Sequence, residues 1–157
     1  MRSAYDEAVA LLARRPLSER ELAARLHGRG HDGPGVDDAI RRLTASGAID
    51  DRELARHWLA TRAASRGRGR ERSLAELEAR GVDPAVAASV WREAVEGGDV
   101  DEAASLERAV RRRLGPPPGR ASRTRLARVY NALLHEGFEP GAIDAALRPY
   151  GFEGTDP

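Results

Sequence analysis

Lysine and cysteine are both absent from this chain of 157 residues. Without lysine there is no Walker A phosphate loop and no Schiff-base chemistry, and without cysteine there is no thiol nucleophile and no thiolate-ligated metal. Aromatic residues make up only 4%. Burial must therefore come from Leu, Val, Ile and Ala, which favours helix packed on helix over a β-sandwich. No apolar run is long enough to cross a bilayer, and no charged-then-apolar leader opens the chain. These absences set the expectation of a cytoplasmic, all-α protein with no membrane contact.

What is present reads as helix grammar. Hydrophobic residues at 41% and charged residues at 32% suit a soluble chain of one domain or a short array of small units. Ser3 to Arg15 places Tyr5, Ala8, Val9, Leu11 and Leu12 at helical spacing, and Pro16 ends the run. Next, Ser18 and Glu21 form a capping box with a Leu17 to Leu22 staple, opening a helix that should reach Gly28 or Gly30. Asp32 caps a third helix with Val36, Ala39, Ile40 and Leu43 inward.

The same pattern continues downstream. Asp50 caps a helix carrying Leu54, Ala55, Trp58, Leu59 and Arg62, with Trp58 a core anchor. Gly67 and Gly69 loosen the chain before the helix of Leu74 and Leu77. Asp83-Pro84 then opens one with Val86, Val90, Trp91 and Val95 inward. After the Glu96 to Asp99 boundary, helices are expected from about Asp101 to Leu114, from about Ser122 to Glu136, and after Pro140. The prolines 116, 117 and 118 between the first two favour an extended, semi-rigid spacer.

Overlaying these segments exposes an internal repeat fixed on Gly30, Gly81 and Gly137, which lie 51 and 56 residues apart. A leucine stands four residues before each glycine: Leu26, Leu77 and Leu133. An acid stands two after: Asp32, Asp83 and Glu139. Each unit reads helix, helix, left-handed glycine cap, helix, in tandem over 1–49, 50–97 and 98–157. Units that stack on neighbours in this way imply an elongated array.

No residue set assembles a catalytic, cofactor-binding or metal site. His27 and His31 have the four-residue spacing of helical zinc ligands, but glycines lie between them where the helix should be ending. Asp50-Asp51 is explained by an N-cap and the helix dipole. Gly67-Arg68-Gly69 has Arg72 where a dinucleotide fingerprint needs its third glycine.

Charge remains. The net value is only +1, yet all 26 strong bases are arginine. Between Arg52 and Arg72 they outnumber acids heavily, and the run from Arg108 to Arg128 contains no acid at all. Such stretches are either solvated helix faces or a surface for phosphates and acidic protein, where guanidinium makes bidentate contacts. The candidate contact residues are Arg62, Arg66, Arg68, Arg70, Arg72, Arg111, Arg112, Arg113, Arg120, Arg123 and Arg125.

The stretch IDDRELARHWLATRAASRGRGRERSLAELEARGVDP, from Ile49 to Pro84, together with the three-repeat pattern, resembles the RecX family. The first repeat departs from the pattern, with Gly33 where the other two have proline. The resemblance implies a non-enzymatic regulator without a cofactor that binds the RecA recombinase filament on DNA. It implies restraint of filament assembly, ATP turnover and strand exchange in recombination, DNA repair and the SOS response. A monomer with at most weak direct DNA contact is expected. A second reading is a helix-turn-helix DNA-binding protein centred on Ser18 to Leu43, in which SERELAARL braces a recognition helix.

Overall fold

Residues 2–63 and 67–154 are described by the structure, a computed structural model, and all of their regular structure is helical. Helix α1 is Ala4–Leu12, α2 Glu19–His27 and α3 Gly33–Ala45. Helix α4 is Asp51–Trp58, α5 Arg70–Ala79 and α6 Pro84–Glu96. Helix α7 is Glu102–Leu114, α8 Arg123–His135 and α9 Pro140–Leu147, and a 3₁₀ turn at Arg148–Tyr150 follows. The fold is an all-α array of three-helix repeats.

The capping residues act as their chemistry dictates. Ser18 Oγ accepts the Glu21 N–H at 3.1 Å while the Glu21 carboxylate accepts the Ser18 N–H at 3.3 Å, completing the box. Asp32 accepts from Gly35 N, Asp50 from Glu53 N, and Asp83 from Ala85 N. At the other ends the three glycines close identical turns. The N–H groups of His31, Val82 and Phe138 return to the carbonyls of Leu26, Leu77 and Leu133 at 3.2, 3.1 and 3.2 Å. Each turn needs a left-handed residue, with φ at +89° in Gly30, +84° in Gly81 and +87° in Gly137.

Packing divides the chain into two compact units that cut across the repeats: Met1–His57 with Glu76–Val90, and Trp58–Ala75 with Trp91–Pro157. In the first, α1, α2 and α3 enclose Ala8, Leu22, Leu26, Val36 and Leu43, and Tyr5 lies under the Arg42 guanidinium at 3.9 Å. In the second, α7, α8 and α9 enclose Leu106, Val110, Leu126, Leu133, Ile143 and Leu147, and Phe152 stacks on Tyr130. Trp58, 4% exposed, is a core residue.

Four expectations from the sequence need correction. Val9 is 45% exposed because the buried stripe of α1 runs through Ala4, Ala8 and Leu11, away from it. Val95 is 42% exposed, since the chain reverses at Gly98 and returns Val100 to the interior, where its N–H bonds the Ala94 carbonyl at 3.0 Å. The helix from Asp50 does not run on regularly to Arg62: α4 passes into a π-helical turn at Leu59–Ala63, where Thr61 Oγ1 donates to the Trp58 carbonyl.

The proline segment is not an extended spacer. It bends inside the third repeat, with Pro117–Pro118 cis, and its flanks bond the chain end. Gly119 and Ala121 donate to the carbonyls of Pro149 and Tyr150, and the Tyr150 hydroxyl donates to the Gly115 carbonyl at 2.7 Å.

Candidate functional site

Each unit contains one joint in which the start of a repeat's second helix seats on the glycine turn that ends the next repeat's second helix. In the first unit the start of α2 meets the Gly81 turn, and Ser18 Oγ donates to the Arg80 carbonyl at 2.5 Å. In the second the start of α5 meets the Gly137 turn through backbone. Gly69 N–H donates to the Glu136 carbonyl at 2.7 Å and Glu71 N–H to the Gly137 carbonyl at 3.2 Å. A Cβ on Gly69 would lie 2.5 Å from Phe138 N, so this glycine serves close approach rather than loosening the chain.

The unit that holds this second joint also holds the candidate arginines. The ten candidates among the described residues all belong to the unit formed by Trp58–Ala75 and Trp91–Pro157, although the sequence places them in two separate stretches. Arg72 Nη1 donates to the His135 carbonyl at 3.2 Å, and Arg112 lies over Gly67. By sequence this unit holds 15 arginines against 12 carboxylates, whereas the other holds 11 against 13.

The candidates divide by what their guanidinium groups already do. Arg113 is half-buried, donating to the Ala109 carbonyl at 2.9 Å and to the Glu136 carboxylate. Arg125 Nη2 donates to the Arg113 carbonyl at 2.7 Å, closing the C-terminus of α7 as a cation does at the negative end of a helix. These two hold the fold. Arg111 pairs with Glu107 on the same helix at 2.8 Å while staying half exposed, and Arg70 pairs with its neighbour Glu71 at 2.7 Å. Exposed surface pairs of this kind are worth well under 1 kcal/mol and exchange readily for a better partner.

Arg123 is 96% exposed with Glu153 at 3.8 Å, Arg62, Arg112 and Arg120 are exposed, and Arg68 is half-buried. Arg66 lies outside the described residues. Arg128 on α8 and Arg148 after α9 are exposed in the same unit. The acid-free run from Arg108 to Arg128 already signalled Arg128; Arg148 stands alone in sequence and gave no signal.

In the first unit the outer faces of α2 and α3 form an open groove of about 760 Å³. It is lined by Glu19, Asp37, Asp51 and Asp83 beside Arg20 and Arg41. Burial raises the Asp51 carboxyl above its usual range, although the carboxylate accepts the Glu19 N–H at 3.0 Å. The four carboxylates that line this groove oppose phosphate there. Elsewhere in the unit, His31 Nε2 lies 2.6 Å from Glu7, and Arg29 pairs with the same carboxylate. Hydrogen bonds from both hold Glu7 below its ordinary range. His31 is thus joined to Glu7 rather than set as a zinc ligand beside His27. Among the described residues no cluster of histidines and acids has metal-binding geometry, and no helix is long and apolar enough to cross a membrane.

Fold and surface together define an all-α repeat protein with its positive charge concentrated in one unit. Residues 4–43 match the first three-helix domain of RecX, and residues 50–90 match the second. The regulatory protein RecX of Amycolatopsis mediterranei is 32% identical over 152 residues, covering 92% of this chain and 83% of that protein. That of Halorhodospira halophila is 36% identical over 141 residues, covering 90% and 84%. The crystal structure of RecX from Lactobacillus salivarius superposes with a TM-score of 0.75 at 18% identity, covering 92% of each chain, which shows a shared fold. The chain belongs to the RecX family of regulatory proteins.

Proposed function

We propose that this chain binds along or at the end of the RecA recombinase filament on DNA and curbs its assembly, ATP turnover and strand exchange. It acts in recombination, DNA repair and the SOS response as a cytoplasmic monomer without catalysis or cofactor, built from units 1–49, 50–97 and 98–157. The observation that carries this reading is the gathering of both arginine stretches into one unit of a RecX-family chain. A filament of recombinase on DNA offers acidic side chains and phosphates over a long surface. Exposed guanidinium groups such as Arg111, Arg120 and Arg123 suit both.

The test is DNA-dependent ATP hydrolysis by RecA with this protein titrated in. A fall in turnover at concentrations where the protein alone scarcely binds DNA is expected. Specific retention of duplex DNA with RecA turnover unchanged would overturn the reading in favour of a helix-turn-helix binder. If phosphates contribute directly, log affinity falls with log salt by about 0.9 per duplex phosphate and about 0.7 on single strands.

A further inference from the structure

The open groove on the outer faces of α2 and α3 lies in the unit that holds no candidate arginine. Its floor is apolar, formed by half-buried Ala23 and Ile40 with exposed Ala45. Glu19, Asp51 and Asp83 stand together at one end, where α2 begins and α3 finishes. Thr44 Oγ1 donates to Glu19 at 3.0 Å, Glu19 N–H donates to Asp51, and Asp83 follows the Gly81 turn, which lies against Ser18 and Arg20. Asp37 stands toward the other end, seven residues before Thr44 on α3. That spacing is two helical turns, about 10 Å of rise.

We propose that this groove docks a basic amphipathic helix of a partner protein, with two arginines or lysines about two turns apart and an apolar residue between them over Ile40. Among the described residues none of the four carboxylates is in an ion pair. The arginines on the rim are engaged elsewhere: Arg41 is held by Asp38, and the Arg20 stem lies against Gly81. Yet three of the carboxylates are fixed in place. One oxygen of each accepts a hydrogen bond: Glu19 from Thr44, Asp51 from the Glu19 N–H, and Asp83 from the Ala85 N–H at 2.8 Å. The second oxygen of each is left for an incoming cation. Burial, and after it the charges of Glu19, Asp50 and Glu21, raise the Asp51 carboxyl, and a cation seated beside it relieves that crowding.

The charge layout selects the occupant. Nucleic acid is excluded because its phosphates meet carboxylates, and a bare metal ion because no cluster among the described residues has metal-binding geometry. A polyamine would answer the charges but bring no side chain to cover Ala23 and Ile40. A helix answers both. Side chains at i, i+3 or i+4, and i+7 share one face and span the same two turns as Asp37 to Thr44, placing cations at the ends and an apolar group on the floor. The inference goes beyond the RecA proposal and does not rest on it, since no residue of the groove belongs to the candidate arginine surface.

The test titrates a hydrocarbon-stapled helical peptide into the full chain, followed by amide and carboxyl NMR. The peptide carries arginine at positions i and i+7 and leucine at i+3 and i+4, in a background of alanine and glutamine. Saturable shifts are expected at Ala23, Ile40, Thr44 and Asp83, and the Asp51 carboxyl should titrate at lower pH in the complex. Moving the second arginine from i+7 to i+5, off the shared face, should weaken binding at least about ten-fold. Asp37 is exposed, so an Asp37→Arg chain should melt as wild type does. It should lose a similar factor in affinity and recover it with one of the two peptides in which a single arginine is replaced by glutamate. The proposal is overturned by no shift in the groove up to about 1 mM peptide, where millimolar affinity would be visible. Equal binding of the off-face peptide, undiminished binding by the Asp37→Arg chain, or spermidine binding as tightly as the peptide would overturn it too. Self-association without peptide, abolished by Asp37→Arg, would place a second copy in the groove and likewise overturn it.

Discussion

In the first unit a serine side chain reaches across to the Gly81 turn, whereas in the second the α5 backbone itself lies on the Gly137 turn. A hydroxyl spans the gap in one case, and Gly69 removes the gap in the other. The same sequence grammar therefore makes a joint with some slack and a joint with none. Tolerance of a side chain should follow that order, with the Gly30 turn, where nothing lies within 4 Å of a Cβ, third.

The largest effect is expected at Gly137. An alanine there meets Arg72 backbone and adopts a left-handed φ, costs of about 1–3 kcal/mol for overpacking and about 1–2 for conformation. Gly137→Ala should therefore destabilise by about 3 kcal/mol in denaturant melts, and Gly69→Ala, which lacks the φ cost, by about 1–3 kcal/mol. Gly81→Ala meets the Ser18 hydroxyl and Arg20 Cβ, and about 2 kcal/mol is expected, partly recovered by Ser18→Gly, which makes room. Gly30→Ala should cost only the conformational part, about 1 kcal/mol. If Gly30 and Gly137 variants melt alike, the joints do not differ as described.

The smallest effect concerns Asp51 in the acid-lined groove. Its folded pKa is raised by burial, so this group's contribution to stability is full below its unfolded value and is lost as pH rises through the folded value. Asp51→Asn, which still offers an oxygen to the Glu19 N–H, should raise Tm slightly at pH 7. That gain should vanish in acid near and below the ordinary carboxylate range. A gain that instead grows on acidification would reverse the sign of the effect and remove burial as its cause.

Much of the fold was legible because it depends on local chemistry. Ser18 with Glu21, Asp32, and Asp83 with Pro84 announce helix starts whatever packs around them. Glycine at fixed distances from Leu26, Leu77 and Leu133 announces the ends. What depends on distant partners was not legible. Gly69 reads as a loosening residue until the Gly137 turn is placed against it. The three prolines read as a spacer until Tyr150 returns to Gly115.

The candidate surface shows the same division. Composition and spacing pick out two arginine stretches but cannot separate Arg113 and Arg125, spent on Glu136 and on carbonyls, from Arg111 and Arg123, which face water. Nor can they show that a stretch before α5 and another on α7 and α8 belong to one unit.

The most direct measurement is suppression of DNA-dependent RecA ATPase by two charge-reversed proteins. One carries Arg111→Glu, Arg120→Glu and Arg123→Glu in the arginine-rich unit; the other carries Arg14→Glu, Arg25→Glu and Arg41→Glu in the acid-lined unit. All six positions are exposed, so helicity and melting should stay close to wild type. The first protein is expected to lose at least about ten-fold in potency, the scale of one or two charge-assisted contacts, and the second to keep its potency within about two-fold. Equal potency in both, or a loss confined to the second, would contradict the assignment of the contact surface to the arginine-rich unit.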